Sequence, residues 1–156
     1  MNVTTIALWA LVIALGIQVG AGIFETRVLV PLWSSNPPAS LTEFYAQPLR
    51  PDSGRRMWVI LSPMTTLISV VNFVLALMSR TPWRQWWLAS AACSLAVMVA
   101  TFAYFVPALM SFARSAEHPS AMVADQTRRW VILNYLRALV LILGWVAGLK
   151  AFASGV

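Results

Sequence analysis

Apolar residues run almost unbroken from Val3 to Phe24, from Met57 to Met78, from Gln85 to Met110 and from Trp130 to about Phe152. Each run has about 20 residues or more, enough at 1.5 Å per helical residue to cross the ~30 Å hydrocarbon core of a bilayer. The pattern predicts an all-α integral membrane protein. Short second and third connections favour antiparallel neighbours, so the expected architecture is an up-down-up-down four-helix bundle. Little sequence is left over, and residues 1–156 are expected to form a single transmembrane domain. The first run is expected to stay in place as a span, because no Lys or Arg precedes it and it lacks the short apolar stretch of a cleavable leader. No internal repeat and no low-complexity tract are expected.

Between the first two runs, residues 26–56 change to Pro, Ser, Arg and acids, and Pro31, Pro37, Pro38, Pro48 and Pro51 argue for a long loop. Within it, Ser40-Leu41-Thr42-Glu43 has capping-box spacing and is followed by Phe44, Tyr45 and Leu49. This predicts a short interfacial helix over 40–47, either a lid over the bundle mouth or a passive surface segment. Pro63 falls near the start of the second run, where proline is tolerated, and Pro107 is expected to kink the end of the third. His118, Pro119 and Ser120 mark a helix start ahead of the fourth run. Tryptophans favour membrane interfaces, and Trp33, Trp58 and Trp130 fall toward one side, with Trp83, Trp86, Trp87 and Trp145 toward the other.

Composition agrees with the pattern: 60% of the 156 residues are hydrophobic and 10% charged, with a mean hydropathy of +0.74. The formal charge of +6 does not point to nucleic acid, because the basic residues sit at the ends of apolar runs, where lipid phosphates are the natural counter-charge. Arg27, Arg50, Arg55, Arg56, Arg114, Arg128 and Arg129 lie on the side of the first and third loops, against Arg80, Arg84 and Lys150 opposite. This bias places the long loops in the cytoplasm and both termini outside. The lone Cys93, inside an apolar run, reads as a small buried hydrophobe. Gly16 and Gly20 share one helix face and suit close packing against a helix of a second copy or a membrane partner subunit.

The candidate chemistry centres on Arg137, a full positive charge within the fourth run. Such a group must face a protein interior, a wet cavity or a partner. Trp130, Asn134 and Arg137 share its helix face. Glu25 closes the first run at the same end, Ser62 and Thr65 begin a polar stripe that continues through Ser69 and Asn72, and Tyr104 lies at the corresponding end of the third run with Ser90, Ser94 and Thr101. These positions predict a pocket opening toward the long loops, with Glu25 and Arg137 paired directly or through water. Against that stands a structural reading, since Ser, Thr and Asn in membrane helices commonly tie helices together. Glu25, His118 and Asp125 form no recognised metal-ligand spacing, and neither a metal nor a cofactor is assigned. Glycine-rich nucleotide motifs are absent.

Two stretches, G-A-G-I-F-E-T-R-V-L-V-P (Gly20 to Pro31) and R-W-V-I-L-N-Y-L-R (Arg129 to Arg137), resemble the anthrone-oxygenase-like family of small four-span membrane proteins. The resemblance implies a bacterial inner-membrane protein that oxidises an anthrone-like polycyclic aromatic to a quinone with molecular oxygen and no bound cofactor. In that reading Glu25 or His118 takes the proton, Arg137 and Asn134 hold the oxyanion, Trp130 and Tyr104 stack on the rings, and Ser62 and Thr65 line the pocket. The alternative, from another class, is a non-catalytic accessory subunit or lipid or small-molecule binder whose charges only hold the bundle together.

Overall fold

A proline inside an α-helix removes one backbone donor and presses its ring on the carbonyl four residues back. Pro31 and Pro107 would each break a span in this way, yet both spans run through them. The computed structural model, which describes residues 3–47, 50–114 and 120–155, shows how. Helix α1 (Val3–Phe24) passes into a π-helical turn over Glu25–Leu29, where the Val30 N–H reaches back to the Glu25 carbonyl, and then into α2 (Val30–Ser34). The third span does the same: α5 (Arg84–Ala100), a π-turn over Thr101–Phe105 closed by the Val106 N–H on the Thr101 carbonyl, then α6 (Val106–Phe112). In each case a wider turn with i→i+5 bonding makes room for the proline that follows.

The expected loop over 26–56 is therefore much shorter. Helix continues to Ser34, α3 spans Ala39–Ala46, and α4 already begins at Arg50 and runs to Met78. Pro63 consequently lies well inside a helix and not near its start. Helix α3 matches the predicted segment, but its cap does not. Pro38 precedes the helix, while the Ser40 hydroxyl donates to the Trp33 carbonyl at 2.7 Å and accepts from the Asn36 N–H at 3.2 Å. Helix α7 (Ser120–Gly155) completes the fold.

Four helical rods, Val3–Ser34, Arg56–Met78, Arg84–Phe112 and Ala121–Gly155, are long and apolar enough to cross a membrane. α1 packs against α4 and α7, and α5 packs against the same two, which closes a four-helix bundle. Large apolar side chains such as Ile17, Leu67 and Leu139 point outward, as expected where lipid is the solvent. Within the apolar core runs a polar stripe, and Gln18, Thr65, Ser69, Asn72, Ser90 and Ser94 are all buried. Part of that stripe is structural, because Ser69 and Ser94 share a 2.6 Å hydrogen bond and the buried Trp87 indole donates to Asn72 Oδ1 at 2.9 Å. These bonds tie α4 to α5 where hydrophobic burial gives no net drive.

The structure also corrects the expectation of no internal repeat. Each half of the chain reads span, π-turn, Val-Pro, short helix, then a second span that opens on the same motif. That motif is Trp58-Val59-Ile60-Leu61-Ser62 in α4 and Trp130-Val131-Ile132-Leu133-Asn134 in α7, each just after an arginine pair. Linkers of unequal length, with α3 in the first, separate the matching elements. Under it Glu25 corresponds to Thr101, Ser62 to Asn134 and Thr65 to Arg137. Parallel halves of this kind relate by an axis along the membrane normal.

The Gly16–Gly20 face, expected to meet a second copy or a partner subunit, is not the one that makes the tightest seam within the chain. Nothing lies within 4 Å of a Cβ placed at Gly20, and Gly16 abuts the Trp145 ring. The tight approach is at Gly144 and Gly148 on α7, where added Cβ atoms would come within 2.8 Å of Cys93 Cβ and Ser90 Oγ on α5. Gly144→Val should cost about 1–3 kcal/mol through overpacking of this seam. Thermal melts in detergent should show the loss for Gly144→Val and none for Gly20→Ala; equal melting temperatures would contradict the assignment.

Candidate functional site

The two π-turns set up the site. Each begins with a polar residue, Glu25 on the first span and Thr101 on the third, and the guanidinium of Arg137 reaches both. Nη2 donates to Glu25 Oε2 at 3.4 Å and Nη1 to Thr101 Oγ1 at 3.4 Å. The Arg137 guanidinium carbon lies 4.4 Å from the centroid of the Phe105 ring, the last residue of the second π-turn, in a cation–π contact. Both charged side chains are largely covered, 13% exposed for Glu25 and 16% for Arg137. One turn toward the start of α7, Asn134 Nδ2 donates to Thr26 Oγ1 at 3.0 Å, so consecutive residues of the first π-turn are paired with positions i and i+3 of α7.

Trp58 supplies the fourth helix. Its indole N–H comes within interaction range of the Glu25 carboxylate without completing a full hydrogen bond. The cluster thus draws on all four spans. Glu25 and Arg137 form the expected direct pair, and Asn134 sits beside them. Ser62 and Thr65 are buried on the same face of α4 as Trp58, and Thr65 is fully enclosed with its hydroxyl unpartnered. Asn134 Oδ1 and Gln18 Oε1 are likewise buried without partners.

Two of the predicted residues take other positions. Trp130 is 1% exposed, its ring set edge-on against Trp33 (5.0 Å between centroids) and Phe105 (5.4 Å), with its indole N–H directed at the Phe105 carbonyl at 3.4 Å. It supports Phe105 from behind. Tyr104 is half-buried and packs edge-on against Phe105 at 5.2 Å. His118 lies outside the described residues.

Thr101, already on the polar face expected of the third run, meets Arg137, while Thr26, Trp58 and Phe105 join the site without having been predicted. The signal available for two of them was Pro31 and Pro107, each six residues after the first residue of a π-turn.

Among the described residues, an aromatic cluster packs over the arginine-rich end of the bundle. Leu41 and Phe44 of α3 are buried in one cluster with Val30, Trp33, Phe112, Val123 and Trp130. Tyr45 ties α3 to the third span through a hydrogen bond from its hydroxyl to the Leu109 carbonyl at 3.3 Å, and burial pushes its phenol above the usual tyrosine range, which keeps the donor protonated. An apolar groove of about 460 Å³ opens elsewhere, on the lipid-facing side between α4 and α5, lined by Thr66, Leu95, Met98, Val99, Phe102 and Ala103.

No curated protein and no solved structure matches the chain. A family model described as anthrone oxygenase matches residues 44–147, about two thirds of the sequence. The matched region runs from α3 into α7 and takes in Trp58, Thr65, Thr101, Phe105, Asn134 and Arg137, with Glu25 preceding it. A four-span helical bundle with this match belongs to the anthrone oxygenase family.

Proposed function

We propose that this membrane protein binds an apolar polycyclic aromatic and oxidises it with molecular oxygen, as a cofactor-independent oxygenase of anthrone-type substrates. The observation that carries the reading is the Glu25–Arg137 pair, a carboxylate and a fixed guanidinium held side by side in a largely water-free site. An anthrone has an acidic C–H across the central ring from its carbonyl. Glu25 accepts that proton, and Arg137 stabilises the negative charge that appears on the carbonyl oxygen. The electron-rich enolate then reduces oxygen: one oxygen atom becomes the new quinone carbonyl, and the other leaves as water with the two ring hydrogens. Asn134 gives one of its two amide N–H groups to Thr26, which leaves the second for the oxyanion. Its free Oδ1 is an acceptor for a substrate hydroxyl, and Ser62 and Thr65 offer hydroxyls from the opposite helix.

Oxygen uptake by purified protein with a hydroxyanthrone tests this directly. Wild type should consume oxygen and form quinone, and Glu25→Gln should lower the rate by about 10²–10⁴-fold, as expected for loss of a general base. A second reading has its own support in Ser69–Ser94, Asn72–Trp87 and Thr26–Asn134, which show polar residues of this bundle acting as ties between helices. In that reading the protein is a non-catalytic binder or accessory subunit. Binding of apolar aromatics with no oxygen uptake by wild type would establish it and exclude the oxygenase.

A further inference from the structure

An aromatic cluster covers the proposed site on the loop side among the described residues, and a membrane-facing groove lies along the same π-turn that holds Arg137. Phe102 and Ala103 of that turn line the groove, while Thr101 and Phe105 of the same turn contact the guanidinium. One side chain faces both compartments. Met98 lines the groove, is only 4% exposed, and receives the Gln18 amide N–H on its sulfur at 3.9 Å from the inside. An unbranched thioether of this kind changes rotamer readily.

Two fully buried polar atoms lack partners near this level of the bundle: the carbonyl oxygen of Gln18, whose amide N–H meets Met98, and the hydroxyl of Thr65, which like Met98 lies one helical turn from the Ser69–Ser94 bond. Thr65 is next in sequence to the groove residue Thr66 and is the repeat counterpart of Arg137, which turns it toward the bundle axis. Unpaired groups at such depth are costly, and a lipid acyl chain would leave them unpaired. A ring hydroxyl carries what each lacks, an acceptor for Thr65 and a donor for the Gln18 carbonyl.

We infer that the groove between α4 and α5 is the route by which a hydroxylated fused-ring aromatic leaves the bilayer for the Glu25–Arg137 site, with Met98 as its door and Gln18 and Thr65 as the receptors of its hydroxyl. The inference rests on the aromatic-binding reading above and adds to it the direction of access and a preference for phenols. The groove is open to the lipid and its lining is almost entirely apolar, which suits a flat ring system. Phe102 and the Met98 sulfur give such rings a better surface than they give an acyl chain.

The test uses full-length protein in phosphatidylcholine nanodiscs and energy transfer from its tryptophans to 2-hydroxyanthracene or 2-methoxyanthracene. The hydroxyl compound should bind about ten- to a hundredfold more tightly, and Gln18→Leu or Thr65→Val should abolish that preference. Val99→Phe, which fills the groove, should slow the rise of transfer for both compounds by about tenfold, and Met98→Ala should speed it. Equal affinity for the two compounds, or uptake rates unchanged by both groove variants, overturns this inference while leaving the site itself in place. Binding unaffected by the paired replacement Glu25→Gln with Arg137→Gln would instead remove the underlying reading. Because Val99→Phe and Met98→Ala act in opposite directions, a folding defect in one does not imitate the result.

Discussion

Arg137→Leu is expected to destabilise the bundle by about 3–5 kcal/mol, the usual cost of removing one partner from a buried charge pair. The lost attraction is the smaller part of that effect. Glu25, 13% exposed in the intact pair, would be left without its countercharge beside the Trp58 indole, and Thr101 would lose its charged donor. The size of the effect therefore depends on Glu25. Arg137→Leu combined with Glu25→Leu should recover most of the loss, since well-packed apolar replacements of buried pairs are often neutral. Denaturation monitored by circular dichroism in detergent distinguishes the cases. A single variant as stable as wild type, or a double variant no better than the single, would mean that the pair does not act as a unit in the folded protein. Activity should fall in both variants, so the stability rescue separates folding from chemistry.

Trp130→Ala should cost a similar amount, about 3–5 kcal/mol, as large-to-small changes at fully buried aromatic positions do. The ring fills the space between Trp33, Phe105 and Phe112 in the aromatic cluster, and the cavity left by its removal would not collapse easily between two π-turns. Phe105 would lose its support, and with it the ring beneath Arg137. Trp130→Phe should retain most of the stability while losing the hydrogen bond to the Phe105 carbonyl. The measurement is the melting temperature of the two variants beside wild type. If Trp130 instead presented a face to substrate, Trp130→Ala would weaken aromatic binding while leaving the melting temperature close to wild type.

The site is a modest departure from an otherwise regular bundle, and this governs how much of it the sequence reveals. Four apolar runs of spanning length permit only helices, because in lipid every backbone group must be satisfied within its own segment. The family resemblance points to the same architecture. Glu25 and Arg137 were placed at one end by counting along antiparallel spans, and polar residues in such spans rarely face lipid, so their pairing followed from position alone. Neither inference required knowledge of which helix touches which.

What periodicity could not deliver was the inward face beyond the two π-turns. In an α-helix, positions i+3 and i+4 both lie near the face of residue i, which set Tyr104 beside Thr101. The wider π-turn carries i+3 aside and leaves i+4 inward, so Phe105 lies under Arg137 and Tyr104 packs beside it. The same shift brings Thr26 to Asn134. Trp130 shows a different limit: a tryptophan at the head of a span reads as an interface anchor, and only α2, α3 and α6 folding over it make it core.

The sequence by itself determined the number of spans, their polar stripe and the end of the bundle at which charge collects, because hydropathy and spacing are local quantities. Only the tertiary structure decided which atoms meet Arg137, which residues pack over that end of the bundle, and where a groove faces the membrane. Those depend on the turn geometry that the two prolines impose and on contacts between residues as much as 112 positions apart, as in the pairing of Glu25 with Arg137.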